Sequence, residues 1–300
     1  MNMLYLFDKI GRSLLWKLFY RPVGSVFYYY WNKPEIADIY VSLDKLLNSN
    51  RSLCRFGNGE FDIIWGKSEG FQSSNSELGV RLRKILHTKN ENVYIAITDF
   101  YRDNPKLRTH EKTFAYTWRL SNFYKISKLL INGEKFLNTY VSRPYSTYTD
   151  VDVSEYIKKF KKLWDSQDLY VIEGRQCRVG VGNDLFDNAS HIYRIEAPAT
   201  NAWNRYDEIL AKVKLLIPKG AIIYMALGAT ATVLAYDLAQ LGYRALDLGH
   251  LDIEYEYYLH KATGKMKIPG KYVNEVEGGN EVDDSLVDNS YLSSIICRID

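Results

Sequence analysis

Within RFGNGEFDIIWG, residues 55–66, one arginine, two glycines, an amide and two carboxylates occupy eight positions between apolar runs. Glu60 and Asp62 offer carboxylate oxygens two residues apart, and Asn58 adds an amide oxygen. Short turns rich in oxygen suit Mg²⁺ or Mn²⁺ that also holds substrate phosphates. The plainer reading is an ordinary tight loop. Three more polar clusters follow apolar runs: Ser142-Arg143-Pro144, EGRQCRVGVGND at 173–184, and LGATAT at 227–232, with LGHLDIEYE at 248–256 beyond it. In LGATAT, Gly228 removes a side chain, and Thr230 and Thr232 bring hydroxyls to the free N–H groups of a helix start. That combination binds anions, or simply caps the helix. Gly180 and Gly182 let a phosphate or sugar approach the backbone, and Arg175 and Arg178 beside them match phosphate bidentately. His250 offers a nitrogen ligand or a base. Asp252, Glu254 and Glu256 alternate as in a strand, which also describes a solvated face.

The elements that must position these residues are legible in outline. Strands are expected at 51–56, 92–99, within 134–145, at 168–174, 191–198, 221–227 and 244–249, with IICRI as a last one. Helices are expected at 36–48, 78–86, 111–131, 154–164 with Ser154 as N-cap, and 230–241. The clearest unit is GAIIYMALGATATVLAYDLAQLGYRALDLGH: apolar strand, glycine turn, amphipathic helix, glycine stop, strand. That is a βαβ unit with parallel strands. The alternation predicts an α/β fold, a Rossmann-like, mainly parallel sheet with helices on both faces. Ligands of such sheets sit at the carboxyl ends of the strands, where all four clusters fall.

Three hundred residues hold one large domain or two small ones, and a net charge of +3 leaves no nucleic-acid footprint. Cys54, Cys177 and Cys297 are scattered, as in a reducing compartment. The 25 tyrosines suit sugar contacts or ordinary packing. Residues 1–34 stand apart as an aromatic, basic segment interrupted by charges, too polar to span a bilayer but suited to a membrane surface or to packing on residues 35–300.

RFGNGE, EGRQCRVGVGNDLF, APATNAW, LGATATVLAYDLAQLGY and LGHLDIEYEYY, in this order, resemble the GT-D-type bacterial glycosyltransferases over roughly residues 36–300. The resemblance implies a Rossmann-like α/β/α domain that moves a hexose, glucose or galactose, from a UDP-sugar to a glycan, glycolipid or glycoprotein. It implies Mn²⁺ or Mg²⁺ as cofactor and action in the cytoplasm, peripherally on the inner membrane face if residues 1–34 dock there. Arg55, Phe56, Gly57 and Gly59 would hold the diphosphate, and the family's acid pair falls on Asn58 and Glu60. Asn58 stands where that turn carries aspartate, so cation affinity should drop unless Asp62, His250 or the diphosphate compensates. Arg143, Arg178, Gly180, Gly182, Gly228, Thr230 and Thr232 would contact donor or acceptor. Glu173, then Asp252, are the expected bases. A non-catalytic nucleotide-sugar-binding subunit is the rival reading; a methyltransferase fits less well, because no glycine-rich turn directly follows the first strand.

Overall fold

A computed structural model describes residues 33–101, 103–130, 134–283 and 289–300. Nearly all of the expected membrane-surface segment, 1–34, lies outside the described residues. Among these residues, nine strands form one sheet: β1 (Glu35–Ile36), β2 (Ser52–Phe56), β3 (Val93–Ile97), β4 (Lys135–Asn138), β5 (Asp168–Gly174), β6 (His191–Ala197), β7 (Ile222–Ala226), β8 (Arg244–Asp247) and β9 (Ile295–Arg298). Their order is β1-β4-β3-β2-β8-β7-β5-β6-β9, and every strand pairing is parallel. A parallel sheet is covered on both faces, so its central strands read as continuous apolar runs. LYVI of β5 and IIYM of β7 are such runs, and all eight residues are buried.

Among the described residues, ten α-helices connect the strands: α1 (Ile39–Leu47), α2 (Asn58–Ile64), α3 (Ser76–Leu86), α4 (Thr109–Leu129), α5 (Pro144–Thr147), α6 (Val153–Lys161), α7 (Tyr206–Leu216), α8 (Ala229–Gln240), α9 (Leu251–Leu259) and α10 (Asn289–Ser294). Caps mark several starts. Asp38 accepts from the Tyr40 N–H at 2.8 Å, and Asn75 accepts from the Leu78 N–H at 2.9 Å. The expected cap Ser154 is already helical; Asp152 caps α6 instead, accepting from the Glu155 N–H at 3.1 Å. The helix expected from residue 36 starts at Ile39, because Ile36 pairs with Phe136 across β1 and β4.

Most aromatic side chains among the described residues are core. Trp164, Tyr101, Tyr156 and Tyr224 are among the largest fully buried side chains. Three of these place their polar ends: Trp164 Nε1 donates to the Leu185 carbonyl at 3.1 Å, the Tyr156 hydroxyl to the Val141 carbonyl at 2.9 Å, and the Tyr224 hydroxyl to the Gly249 carbonyl at 3.1 Å. Each such side chain contributes about 1.5–3 kcal/mol of burial free energy.

Two features of this topology position the site. From β2 the chain moves outward through β3; from β8 it leaves for β9 at the opposite edge. The β2/β8 junction is therefore the topological switch point, where open α/β sheets leave a crevice at their carboxyl edge. The second feature corrects an expectation. Asp252, Glu254 and Glu256 are helical, in α9, and all three are buried. Residues i and i+4 share a helix face, so Asp252 and Glu256 both meet Lys271, at 2.6 and 2.9 Å. Glu254 turns away and takes the Ser146 N–H at 2.7 Å and its hydroxyl at 2.5 Å.

Candidate active site

A cavity of about 650 Å³ opens at the β2/β8 switch point, walled by residues that follow β2, β3, β4, β5, β7 and β8. That volume suits a small-molecule or cofactor site. Arg55, Gly57, Asn58, Gly59, Glu60, Arg143, Gly228, His250 and Asp252 all line it, although residues 55 and 252 are far apart in sequence. The other residues singled out above, Phe56, Glu173, Arg178, Gly180, Gly182, Thr230 and Thr232, are not in its wall.

Arg55 is fastened across the switch point. Its Nη2 lies 2.8 Å from Asp247 Oδ1, its Nε donates to the Asp247 carbonyl at 2.7 Å, and its Nη1 donates to Ser142 Oγ at 2.7 Å. Thr232 Oγ1 donates to the Arg55 carbonyl at 2.8 Å and to Asp247 Oδ2 at 3.2 Å. Thr232 thus clamps β2 to β8 from α8. Arg55 sits half in the wall with its orientation set before any ligand arrives. Gly249 follows the same logic: a Cβ there would lie 2.3 Å from Arg55 Nη2, so only glycine admits the guanidinium.

The stretch 57–60 is the first turn of α2. Glu60 reaches back and accepts the Gly57 N–H at 2.6 Å, as a third-position glutamate does at a helix start. Asn58 is exposed on the cavity side. Asp62 points elsewhere, pairing with Lys67 at 3.0 Å, and is not in the wall. The partner that the sequence reading missed is Glu69. A Cβ at Gly59 would lie 3.4 Å from Glu69 Oε2, and one at Gly228 would lie 3.7 Å from Glu69 Oε1. Glu69 Oε1 is buried without a hydrogen-bond partner. Burial, then the carboxylates of Asp247 and Glu69, push Glu60 up to about 7, with Arg55 only partly opposing. Burial also raises Glu69, against the N–H groups of Phe71, Gln72 and Gly70. Two interacting carboxylates with only partial countercharge from Arg55 are what a bound cation would relieve.

A cationic group lines the same cavity. Arg143 holds Glu275 at 2.5 Å, Lys265 holds it at 2.8 Å, and His250 Nε2 lies 3.7 Å from it. Burial works against the Glu275 charge, but Arg143, His250 and Lys265 together keep it well below the usual carboxylate range. Burial first, then Arg143, lower His250 to about 3, so its imidazole is neutral at physiological pH.

The residues outside the wall have other engagements. Glu173 is fully buried, ion-paired with Arg194 at 2.7 Å, and accepts the Val179 N–H at 2.7 Å. Arg178 is buried and donates to the carbonyls of Gly270 at 2.7 Å and Asp283 at 3.1 Å, tying down the C-terminal region. Gly180, at φ +74°, packs under Phe186, whose ring a Cβ would meet at 2.3 Å. Gly182, at φ +80°, faces open space. Thr230 is buried with its hydroxyl unpartnered, and Phe56 is core. Asp252 does reach the cavity, but it accepts from the Gly180 N–H at 2.9 Å and from Asn183 Nδ2 at 2.8 Å, besides Lys271. It braces the 180–183 turn against α9.

Among the described residues, no group of three or more His, Cys, Asp or Glu side chains stands ready-made for a metal ion. Among them, too, no helix is long and apolar enough to cross a membrane, and Cys54, Cys177 and Cys297 are free thiols. Of the functional residues missed in the sequence, Asp247 carried the better signal, as an acid closing an apolar strand at the expected edge. Glu69, Lys265 and Glu275 lie in loops and had none.

Residues 53–276 match the family described as "Glycosyltransferase GT-D fold". The chain is 36% identical over 273 residues to "Probable glycosyl transferase Gly" of Streptococcus gordonii, covering 88% of this chain and 39% of that protein. It is 32% identical over 269 residues to "Glycosyltransferase GlyD" of Streptococcus pneumoniae, covering 88% and 32%. The chain thus spans only about a third of the length of these curated relatives. Among solved structures, "A New Glycosyltransferase (DUF1792) from Streptococcus sanguinis" superposes with a TM-score of 0.82 at 35% identity, covering 89% of this chain and 100% of that one. Another, described by the statement that "the highly conserved domain of unknown function 1792 has a distinct glycosyltransferase fold", gives 0.83 at 35% identity, covering 90% and 97%. The parallel sheet, the crevice at its switch point and these relatives agree: the chain belongs to the GT-D-fold glycosyltransferase family.

Proposed function

We propose that this chain moves a hexose, glucose or galactose, from a UDP-sugar to a growing bacterial glycan, glycolipid or glycoprotein. The observation that carries this reading is the placement of Arg55, Arg143 and Lys265 around one crevice with Glu60 and Glu69, at the carboxyl edge of a parallel sheet. The cationic side chains and the start of α8 favour a diphosphate. Gly228, at φ +52°, heads that helix from the cavity wall. A divalent cation, Mn²⁺ or Mg²⁺, fits the residues present, because Glu60 and the orphaned Glu69 oxygen line the same cavity and their charges repel. Glu60 and Glu69, helped by the Asn58 amide, would hold it. When bound it supplies charge neutralisation to the departing diphosphate. His250, neutral and packed against Phe71 with ring centroids 5.8 Å apart, shapes the floor between α8 and α9. Of the two expected bases, Asp252 is the one in the wall, and it takes that role in this reading.

The test is incubation with isotope-labelled UDP-glucose and UDP-galactose, with lipid-linked acceptors and either Mn²⁺ or Mg²⁺. Label should enter acceptor with the wild-type chain and not with Glu60→Ala; an unchanged rate in that variant removes Glu60 from the mechanism. Asn58 gives the rival reading one specific footing, since an amide adds no charge to the cation site. Tight UDP binding without any transfer would establish that binding-only role. We further place the chain in the cytoplasm, with residues 1–34 on the inner membrane face. Their deletion should shift the protein from membrane to soluble fractions, and unchanged fractionation would refute the docking.

A further inference from the structure

The part of the cavity beyond Arg143, at the ends of β3 and β4, is built differently from the part around Glu60. Thr98 follows β3 and Thr139 follows β4; both line the cavity, and they are only 2% and 5% exposed. Neither hydroxyl has a hydrogen-bond partner. Buried hydroxyls are ordinarily satisfied, and one left unmade costs about 1–3 kcal/mol. Two of them in one wall mark places where a ligand completes the bonding. The first turns of α4 close the same region. Glu111 lines it, accepting from the Tyr140 hydroxyl at 3.4 Å. Phe114 lines it too and is 44% exposed, its ring held edge-on against Phe100 with centroids 5.5 Å apart.

We propose that Thr98, Thr139, Glu111 and Phe114 form a carbohydrate subsite that receives the acceptor sugar. This rests on the glycosyltransferase reading above. The chemistry selects the ligand class. Each threonine hydroxyl both donates and accepts, and Glu111 accepts, which matches the vicinal hydroxyls of a pyranose. The fixed aromatic face offers a surface for the apolar C–H face of a sugar ring. A carboxylate repels a phosphate, so the diphosphate belongs near Arg55 and Lys265 rather than here. Arg143 lines the same cavity as both the donor and the acceptor halves.

The probe is p-nitrophenyl β-D-glucopyranoside, with the galactoside in parallel, titrated by ligand-observed NMR in the presence of UDP and Mg²⁺. UDP affinity is measured on the same samples by calorimetry. Phe114→Ala and Glu111→Gln should each weaken the glycoside about tenfold or more. Thr98→Val combined with Thr139→Val should do the same, each lost hydrogen bond being worth about fivefold. UDP affinity should stay within about twofold, because these residues do not touch the diphosphate half. Replacing an unsatisfied hydroxyl by a methyl of the same shape is neutral or stabilising. The double valine variant should therefore melt no lower than wild type, which separates lost binding from lost folding. The subsite is overturned if neither glycoside binds the wild-type chain, if the variants bind it as well as wild type does, or if UDP affinity falls in step with glycoside affinity. A chain that binds the glycoside through these residues but binds no UDP would refute the donor reading and leave the subsite standing.

Discussion

The raised Glu60 carboxyl makes a prediction that needs no ligand. Its value moves from 4.5 to about 7 on folding, because burial and the carboxylates of Asp247 and Glu69 disfavour the charge. A carboxyl raised in the folded state makes its full contribution to stability below its unfolded value and loses it as pH climbs through the folded one. Glu60 should therefore cost nothing near pH 4.5 and progressively more up to about pH 7, with the penalty constant above. At about 1.4 kcal/mol per unit, a shift of roughly 2.5 units corresponds to about 3.4 kcal/mol. The carboxylate is partly solvated and lies at a helix start, which favours its charge, so about 2–3 kcal/mol is expected. Glu60→Gln isolates the effect, since glutamine can still accept the Gly57 N–H and does not titrate. Urea unfolding of both proteins at pH 4.5, 6 and 8 should show equal stability at the lowest pH. At the highest, the variant should be more stable by that margin. Titrating groups that do not interact with Glu60 cancel in the difference, and Asp247 and Glu69 belong to the same coupled response. A stability difference that is the same at all three pH values would refute the account of Glu60 as a charge held against its environment.

Asp247→Ala leaves Arg55 in the wall without its partner; breaking such a pair costs about 3–5 kcal/mol, and with unfolding entropy scaling by chain length this lowers the melting temperature by about 5–8 °C. A shift below about 2 °C in a thermal scan would contradict the clamp across β2 and β8. Glu173→Ala strands Arg194 in the core and should likewise cost about 3–5 kcal/mol in urea unfolding, while UDP affinity by calorimetry stays unchanged; a selective loss of transfer rate at wild-type stability would restore Glu173 as a base. His250, lowered to about 3 chiefly by burial, should show no imidazole titration by NMR between pH 5 and 8, and a midpoint above pH 5 would overturn its placement as a neutral group.

Periodicity and punctuation carried most of the architecture. The run IIYM, the glycines at 228 and 242 and the helix between them declared a βαβ unit, because strand pleat, helix repeat and glycine freedom are local properties. The clusters at 55–60, 143, 228 and 250 were likewise legible as ligand-facing, since polar residues after apolar strands fall on one sheet edge. Tertiary structure decided what each of those side chains is free to do. Glu173 and Arg178 look like site residues in one dimension, yet they spend their charges on Arg194 and on two carbonyls, partners contributed by other elements. The row 252–256 alternates as a strand would, yet folds as a buried helix because Lys271, Asn183 and Ser146 arrive to satisfy its carboxylates. Glu69 and Glu275 became visible only once their loops closed over the crevice. Local sequence sets which backbone forms and on which edge it ends; burial and charge partners come from residues distant in the chain, and only the folded arrangement assigns them.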